Sequence, residues 1–519
     1  MKIRPILALL LLQSILTVGC ATNNATVNTV AEPAGGTLAV GSADASDPIT
    51  ALAAKADAIF NDANFANAHW GALIVSRDTG KVWYERNADR LFIPASNEKI
   101  PTTAAALLAL GPDFKYVTTV AYTGELKDGV VTGDLVITGN GDPTLDEWFG
   151  KDKDPLSVFK GWAAELKAKG ITEIRGRIVG DDNAWDDVHK AGNWPHAQLG
   201  DTSFAEYGPL QLNTGFIDIT ATPPADVNGQ ATIKASIESD SVTFVNQTKV
   251  VARTSEKDSS SIYTSRPYEN NTMTVRGTLI AGDKAATDAM SVHNPTRFYV
   301  EVLRRTLIAE GIKVGGAPTD IDELPEWVAA KPASVELLRR ESPPLSEIAK
   351  ALMKPSQNVY AETMVRTMGW KASGKGSFSA GEKALKAELE KIGIAPDSFQ
   401  FDDGSGLSRY NYISPRILTN IYLGMMKTPL ADVWYEAQTI GGVDGTLRNR
   451  FKDTAAANNV RGKTGTVSNV RSLSGFVKTA DGENLVFSFM VNAHLRSSSE
   501  TNKITDPVVV MLAEFKRSN

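Results

Sequence analysis

The spacing of apolar positions changes along the chain, and each change predicts a different kind of element. From Pro5 to about Val18 the sequence is almost wholly apolar, whereas Ala21 to Asp47 is Ala, Thr, Asn, Gly and Ser with hardly a large apolar residue. A run of that second kind buries too little surface to fold and reads as a flexible tether. Helical spacing begins near Ile49 in ITALAAKADAIFND. WGALIVSRDTGKVWYERN then presents two β-rich runs around Asp78-Thr79-Gly80, which predicts a hairpin. An Ala/Leu-rich helix starts at Ser96-Asn97-Glu98-Lys99 and stops at Gly111-Pro112.

Between about Phe114 and Val292 short Val/Thr/Ile runs alternate with Gly, Asp and Asn turns, with one helix, LSVFKGWAAELKAKG, among them. This predicts a mainly β block over 114–292, large enough for one or two subdomains. Helical spacing resumes at NPTRFYVEVLRRTLIAEG and continues through PLSEIAKALM, NVYAETMVRTMGW, GEKALKAELEKIG and SPRILTNIYLGMM. The chain closes with VRGKTGTVSNV, a hairpin around Asp481-Gly482, and the helix TDPVVVMLAEFKR. Helix and hairpin at one end, hairpin and helix at the other, imply a single α+β unit formed by 49–113 and 293–519. Its two chain ends would share an antiparallel sheet, with 114–292 as a large insertion.

Composition narrows the class. At 519 residues, two or three domains are expected. With 54 Lys and Arg against 60 Asp and Glu there is no basic excess, which argues against nucleic acid as a partner. The N-terminal MKIRPILALLLLQSILTVGC has Lys2 and Arg4, then an apolar run too short to span a bilayer comfortably, then Gly19-Cys20. That order predicts an export signal over 1–20, followed by a linker over 21–48. Cys20, the only cysteine, stands where a bacterial lipoprotein signal is cut and acylated. Thr17 occupies a position where Leu is usual, so plain secretion stays open. The expected location is the periplasm, tethered to a membrane through a lipid on Cys20, the outer membrane being favoured. A single cysteine also leaves no intrachain disulfide.

A serine hydroxyl needs a base to become a nucleophile. None of the five histidines lies in H-E-x-x-H, and no G-x-S-x-G elbow is present. Lysine is the other base. Ser96 and Lys99, three apart on a helix, share one face, and the helix start adds positive potential. The same S-x-x-K spacing recurs at Ser157 and Lys160, so the pair alone is ambiguous. A working lysine base needs burial and a neighbouring cation to lower its pKa, which predicts a second lysine in the site. Two later segments meet that need. Ser356-Gln357-Asn358 is the only S-x-N, and Lys463-Thr464-Gly465 the only K-T-G, the glycine allowing close approach of a substrate backbone. S-x-x-K, S-x-N and K-T-G in that order are the signature of penicillin-recognising serine acyl-transfer enzymes.

Other features read as structural. Asp181, Asp182, Asp186 and Asp187 with His189 are expected to be solvated turn residues, without a metal. Asp402 to Gly406 reads as a turn at the cleft rim, and Trp185 and Trp194 as packing residues. Pro101 removes an early helix hydrogen bond, which predicts a tight 3₁₀ first turn after Ser96.

The chain resembles the D-alanyl-D-alanine carboxypeptidase/endopeptidases, the class C low-molecular-mass penicillin-binding proteins. The motifs carry this, as do PASNEKIPTTAAALLALGPDFKY, GDLVITGNGDPTL, DDGSGLSRYNYISP and GGVDGTLRNRF. So does the span of 260 residues from Ser96 to Ser356, since the family has a large insertion between its first two motifs. The resemblance implies a serine DD-peptidase/β-lactamase-like fold of helices packed on an antiparallel sheet, with no cofactor. It implies hydrolysis of D-Ala-D-Ala termini or D-Ala–diaminopimelate cross-links of peptidoglycan stem peptides, and β-lactams as covalent inhibitors. Ser96 would be the acylated nucleophile and Lys99 its base. Ser356 would relay a proton to the leaving D-alanine, Asn358 would hold Lys99 and the substrate amide, and Lys463 would tune the pair. Thr464 and Thr466, flanking Gly465, would meet the substrate carboxylate. The backbone N–H groups of Ser96 and Thr466 would form the oxyanion hole, typically worth ~3 kcal/mol per donor. The alternatives are a β-lactamase, against which the insertion and the lack of an obvious deacylating Glu argue, or a catalytically silent cell-wall-binding lipoprotein.

Overall fold

The computed structural model describes residues 47–330 and 332–517. Cys20, the export signal and nearly all of the linker lie outside the described residues. Asp47 and Pro48, assigned to that linker, already belong to the body: Pro48 opens helix α1 (Pro48–Phe60), and the Asp47 carboxylate accepts from Ile49 N.

Six antiparallel strands form the main sheet, in the order Thr439–Ile440, Arg461–Val467, Val470–Lys478, Asn484–Asn492, His69–Ser76, Val82–Arg86. The opening and closing hairpins therefore meet edge to edge, His69 opposite Asn492 and Ser76 opposite Leu485. Side chains alternate across this sheet as the pleat requires. Leu485, Phe487, Phe489 and Val491 pack with α1 and with the last helix, whereas Val486 and Met490 face the central helices.

Those central helices begin with α2 (Lys99–Leu110), whose residues Lys99 to Leu107 are all buried. It is entered through a 3₁₀ turn over Ala95–Glu98, the tight start that Pro101 requires. The inserted region contributes α3 (Ser157–Ala168) and α4 (Pro295–Ala309), and a short α5 spans Pro325–Ala330. Around α2 lie α6 (Leu345–Met353), α7 (Asn358–Ser373), α8 (Phe378–Glu390) and α9 (Pro415–Met425). A short α10 (Ala431–Ala437) precedes the K-T-G strand, and α11 (Ser498–Glu514) ends the chain. The expected closing helix thus starts seven residues earlier than TDPVV, where Ser497 and Glu500 form a capping box.

The inserted region ends later than its sequence pattern implies. Strand Ser334–Glu341 pairs with Val117–Thr123, and Pro318–Asp320 pairs with Ile178–Asp181. Helix α4 packs its Phe298, Tyr299 and Leu303 against Phe159 and Trp162 of α3. The boundary expected at 293 therefore falls near Ser342, and the insertion carries α4 and the short α5 as well as α3. Helical periodicity states that a segment has an apolar face. It does not state which of two cores that face will join.

Candidate active site

Three segments far apart in sequence meet at the N-terminus of α2. Ser96 lies in the 3₁₀ turn, half-buried, with Ala95 before it held at φ +49°. The turn is tied to the main sheet by Ser472 Oγ, which donates to Pro94 O at 2.6 Å, and by Asn97 Nδ2, which donates to Ser474 Oγ at 2.7 Å. Lys99 is fully buried one turn on. Its Nζ donates to Ser96 Oγ at 3.0 Å, to Asn358 Oδ1 at 2.6 Å and to the Ser405 carbonyl at 2.7 Å. An ammonium has three N–H donors, and all three are used.

Ser356 lies in the connection between α6 and α7 at φ +71°, a left-handed conformation costly for a residue other than glycine. The connection is held from outside. Lys354 is ion-paired with Asp444, and its carbonyl accepts from Thr446 N at 3.0 Å. Asn358, first residue of α7, then points its amide oxygen at Lys99.

The K-T-G strand closes the site. Lys463 is fully buried, and its Nζ donates to Ser356 Oγ and to the Thr464 carbonyl, both at 2.8 Å. Gly465 lies so near the nucleophile turn that a Cβ there would stand 2.1 Å from Ser472 Oγ, 2.6 Å from Pro94 O and 3.0 Å from Ser96 N. Only glycine permits that approach. Thr464, nearly buried, bonds Thr446 Oγ1 at 2.8 Å, while Thr466 is exposed and accepts from the Arg471 guanidinium on the neighbouring strand.

The electrostatics follow from burial. Desolvation brings the Lys99 amine down to about 7, against the pull of Asp403, Glu362 and Glu98 toward the charged form. Burial, with the Lys99 charge beside it, holds Lys463 well below the usual lysine range. Next to Lys99 the Glu98 carboxyl is sealed, with no hydrogen-bond partner for either oxygen among the described residues, and burial pushes it well above the ordinary value. Burial and the nearby Asp403 raise Glu362 to about 7. Together these shifts put a free amine and a hydroxyl in contact near neutral pH, which is the requirement for a serine nucleophile with a lysine base.

The decoy behaves as an ordinary surface pair: Lys160 in α3 bonds Asp154 at 2.6 Å, far from any of these groups in role and exposed. The turn at 402–406 does more than shape a rim, because it supplies the Ser405 carbonyl to Lys99 and the Gly404 carbonyl to Thr102 Oγ1 at 2.8 Å. A Cβ at Gly406, which has φ +85°, would stand 1.9 Å from Ala95 O. The only sequence signal for this role was the D-D-G-S-G run itself. The acidic group near His189 is only partly the set of solvated turn residues expected. Asp182 is buried, accepting from Thr296 Oγ1 at 2.6 Å, and Asp186 is paired with the buried Arg366. Asp182, Asp320 and Asp322 place one carboxylate oxygen each within 4.8 Å of the others.

Comparison with known proteins agrees in extent with this arrangement. The profile of the family described as D-Ala-D-Ala carboxypeptidase 3 (S13) matches residues 52–515. A D-alanyl-D-alanine carboxypeptidase of Actinomadura sp. (strain R39) is 31% identical over 497 residues, covering 91% of this chain and 86% of that protein. The D-alanyl-D-alanine carboxypeptidase DacB of Haemophilus influenzae is 28% identical over 452 residues, 83% of this chain and 86% of its own. In fold, the crystal structure of penicillin binding protein 4 from H. influenzae superimposes with a TM-score of 0.74 at 23% identity, covering 90% of this chain and 99% of that one. The same protein complexed with a β-lactam gives a TM-score of 0.69, over 89% of this chain and 98% of that one.

Proposed function

The chain is a serine DD-peptidase of the D-Ala-D-Ala carboxypeptidase 3 (S13) family, and we propose that Ser96 is its acylated residue, acting on peptidoglycan stem peptides outside the cytoplasm. The observation that carries this is the contact of Lys99 Nζ with both Ser96 Oγ and Asn358 Oδ1, beside a second buried lysine on Ser356.

In the ammonium form Lys99 donates to Ser96. Loss of one proton reverses that bond, so the Ser96 hydroxyl donates to a free amine and its oxygen gains nucleophilicity. Attack on the carbonyl of the penultimate D-alanine, with the Lys99 amine taking the hydroxyl proton, gives a tetrahedral adduct. The adduct collapses to a Ser96 ester as that proton passes on through Ser356 to the leaving amine, returning Lys99 to its free base. Developing negative charge on the carbonyl oxygen would meet the N–H groups of Ser96 and Thr466, a reading supported by the close approach of the neighbouring Gly465 to Ser96 N. Ser356, hydrogen-bonded to Lys463, stands where it can pass a proton to the leaving amine. The free carboxylate of the leaving residue is attracted by the buried Lys463 and bonded by Thr464 and Thr466. Water then hydrolyses the ester by the same groups in reverse. Terminal D-Ala-D-Ala and D-Ala–diaminopimelate cross-links both present a D-configured amide with a free carboxylate on the leaving residue, so one site serves carboxypeptidase and endopeptidase reactions. The same geometry makes β-lactams acylating inhibitors, in keeping with the β-lactam complex of the H. influenzae relative.

The signal-like start, Cys20 and the small-residue run after it support export to the periplasm and a lipid anchor. Globomycin-sensitive processing of the full chain tests the anchor. Incubation with a labelled penicillin and peptide mapping test the nucleophile. Label on the Ser96 peptide, absent from Ser96→Ala, is expected; label elsewhere overturns the assignment. Rapid turnover of the drug would instead favour a β-lactamase, and folded protein without label a silent binder. Digestion of purified muropeptides then separates the two peptidase activities.

A further inference from the structure

Residues 182–207 leave the inserted region and cross to the peptidase domain as an irregular strap, anchored at its start. Asp186 N donates to Gly376 O at 3.0 Å, and Gly376 N to Ala184 O at 2.8 Å. The Trp185 ring occupies the space beside Gly376, where a Cβ would stand 2.1 Å from Cδ1. Arg366, in α7 and almost wholly buried, pairs with Asp186 and donates to the Val188 carbonyl at 3.0 Å. Asn358, Glu362 and Arg366 are spaced by four along α7 and so share one face. That face runs from the catalytic lysine to the strap.

Beyond the anchor the strap reaches the groups around Lys99. The indole N–H of Trp194, which is 6% exposed, donates to Asp403 Oδ2 at 2.8 Å. Asp403 is fully buried and organises its loop, accepting from Gly406 N and Ser408 N at 2.6 Å and from Asn411 Nδ2 at 2.8 Å. The same loop delivers the Ser405 carbonyl to Lys99. Next to Trp194, Asn193 Nδ2 donates to Asp402 Oδ1 at 2.7 Å. Further on, the Ser203 carbonyl accepts from Asn358 Nδ2 at 2.9 Å, which fixes the amide with its oxygen toward Lys99.

We propose that this strap of the inserted region is a positioning part of the catalytic centre, Trp194 and the Ser203 carbonyl holding in place two of the three acceptors that surround the Lys99 amine. The inference rests on Ser96 and Lys99 being the acylating pair. It gives the insertion a role in chemistry: the outer loops of a separate subdomain set the orientation, and through it the proton affinity, of the base.

The test is Trp194→Phe in the full chain, which removes one N–H and keeps an aromatic ring. Three quantities are measured: the second-order rate of acylation by a labelled penicillin, its pH dependence, and thermal unfolding. The expected result is a plateau rate lower by roughly tenfold, as for a misplaced catalytic group. The acid limb should also move to lower pH, because an ammonium that loses a fixed carbonyl acceptor gives up its proton more readily. An unchanged plateau and limb, even with a lower melting temperature, would show that the strap only stabilises the fold. A lower plateau with the limb in place would assign Trp194 to substrate contact and equally overturn the proposal. Should Trp194→Phe not fold, Asn193→Ala at the exposed edge of the strap serves, with the same limb shift expected and a smaller loss of rate. If the parent chain itself takes no label, the acyl-enzyme reading fails, not the strap.

Discussion

Lys463 Nζ donates to the Ser356 hydroxyl at 2.8 Å, across 107 positions of sequence. Each of the two lysines in the site thus serves a different serine, Lys99 the nucleophile and Lys463 the second hydroxyl. The division accounts for the left-handed backbone at Ser356, which turns its side chain toward the K-T-G strand.

Lys463→Met should separate activity from stability. A methionine fills most of the same volume without a charge that burial already disfavours. Acylation by penicillin should fall about 10²-fold or more, the range for loss of a group acting on proton transfer. The melting temperature should hold or rise, and calorimetry beside stopped-flow labelling checks both. A variant that labels at the parent rate would remove Lys463 from the mechanism.

Acylation should depend on pH through Lys99. The amine lies near 7 because burial disfavours its charged form, so the free base is scarce below that value and abundant above it. The rate should rise as pH increases through about 7 and then level off. A profile flat from pH 5 to 9 would mean that Lys99 is not the group losing the proton.

Glu98 should make the fold less stable in alkali. Its carboxyl is raised well above 4.5 in the folded state by burial, so the folded chain holds a proton that the unfolded chain has released. That contribution is complete below about 4.5, the unfolded value, and is lost as pH rises toward the folded one. Glu98→Gln keeps the shape and removes the titration. Its unfolding free energy, from urea melts, should gain on the parent as pH rises above the ordinary carboxylate range, and parallel curves would refute the buried acid.

Gly465→Ala should damage the site more than the fold. The added methyl meets Ser472 Oγ, Pro94 O and Ser96 N together, so the strand must retreat from the nucleophile turn. Acylation should drop by roughly tenfold or more through misalignment alone. Circular dichroism should show a folded chain, and labelling at the parent rate would mean the strand and turn separate without consequence.

Much of the site was legible because its motifs are local. Ser96 with Lys99, and Ser356 with Asn358, are spacings that one turn of backbone turns into geometry, and Lys463-Thr464-Gly465 needs only an extended strand. The hairpins at Gly80 and Gly482 were legible for the same reason, since turn chemistry and period-two alternation act over a few residues. Trp194, Ser203, Asp403 and Thr446 were not. Their roles arise from hydrogen bonds between segments that no periodicity relates, and the Ser203 contact uses a backbone carbonyl that every residue has.

By itself the sequence determined which side chains could do chemistry and which segments would be helix or strand. Composition, spacing and turn residues bias the backbone directly. Tertiary structure decided which core each amphipathic face joined, and so carried α4 and strand Ser334–Glu341 into the insertion. It also decided how deeply each charge was buried. An isolated Lys99 is an ordinary ammonium; closed off from water, it becomes a base near neutral pH even though Asn358 and Ser405 offer acceptors to its charged form. The physical reason is the cost of desolvating a charge, which is paid only when distant parts of the chain shut out the solvent.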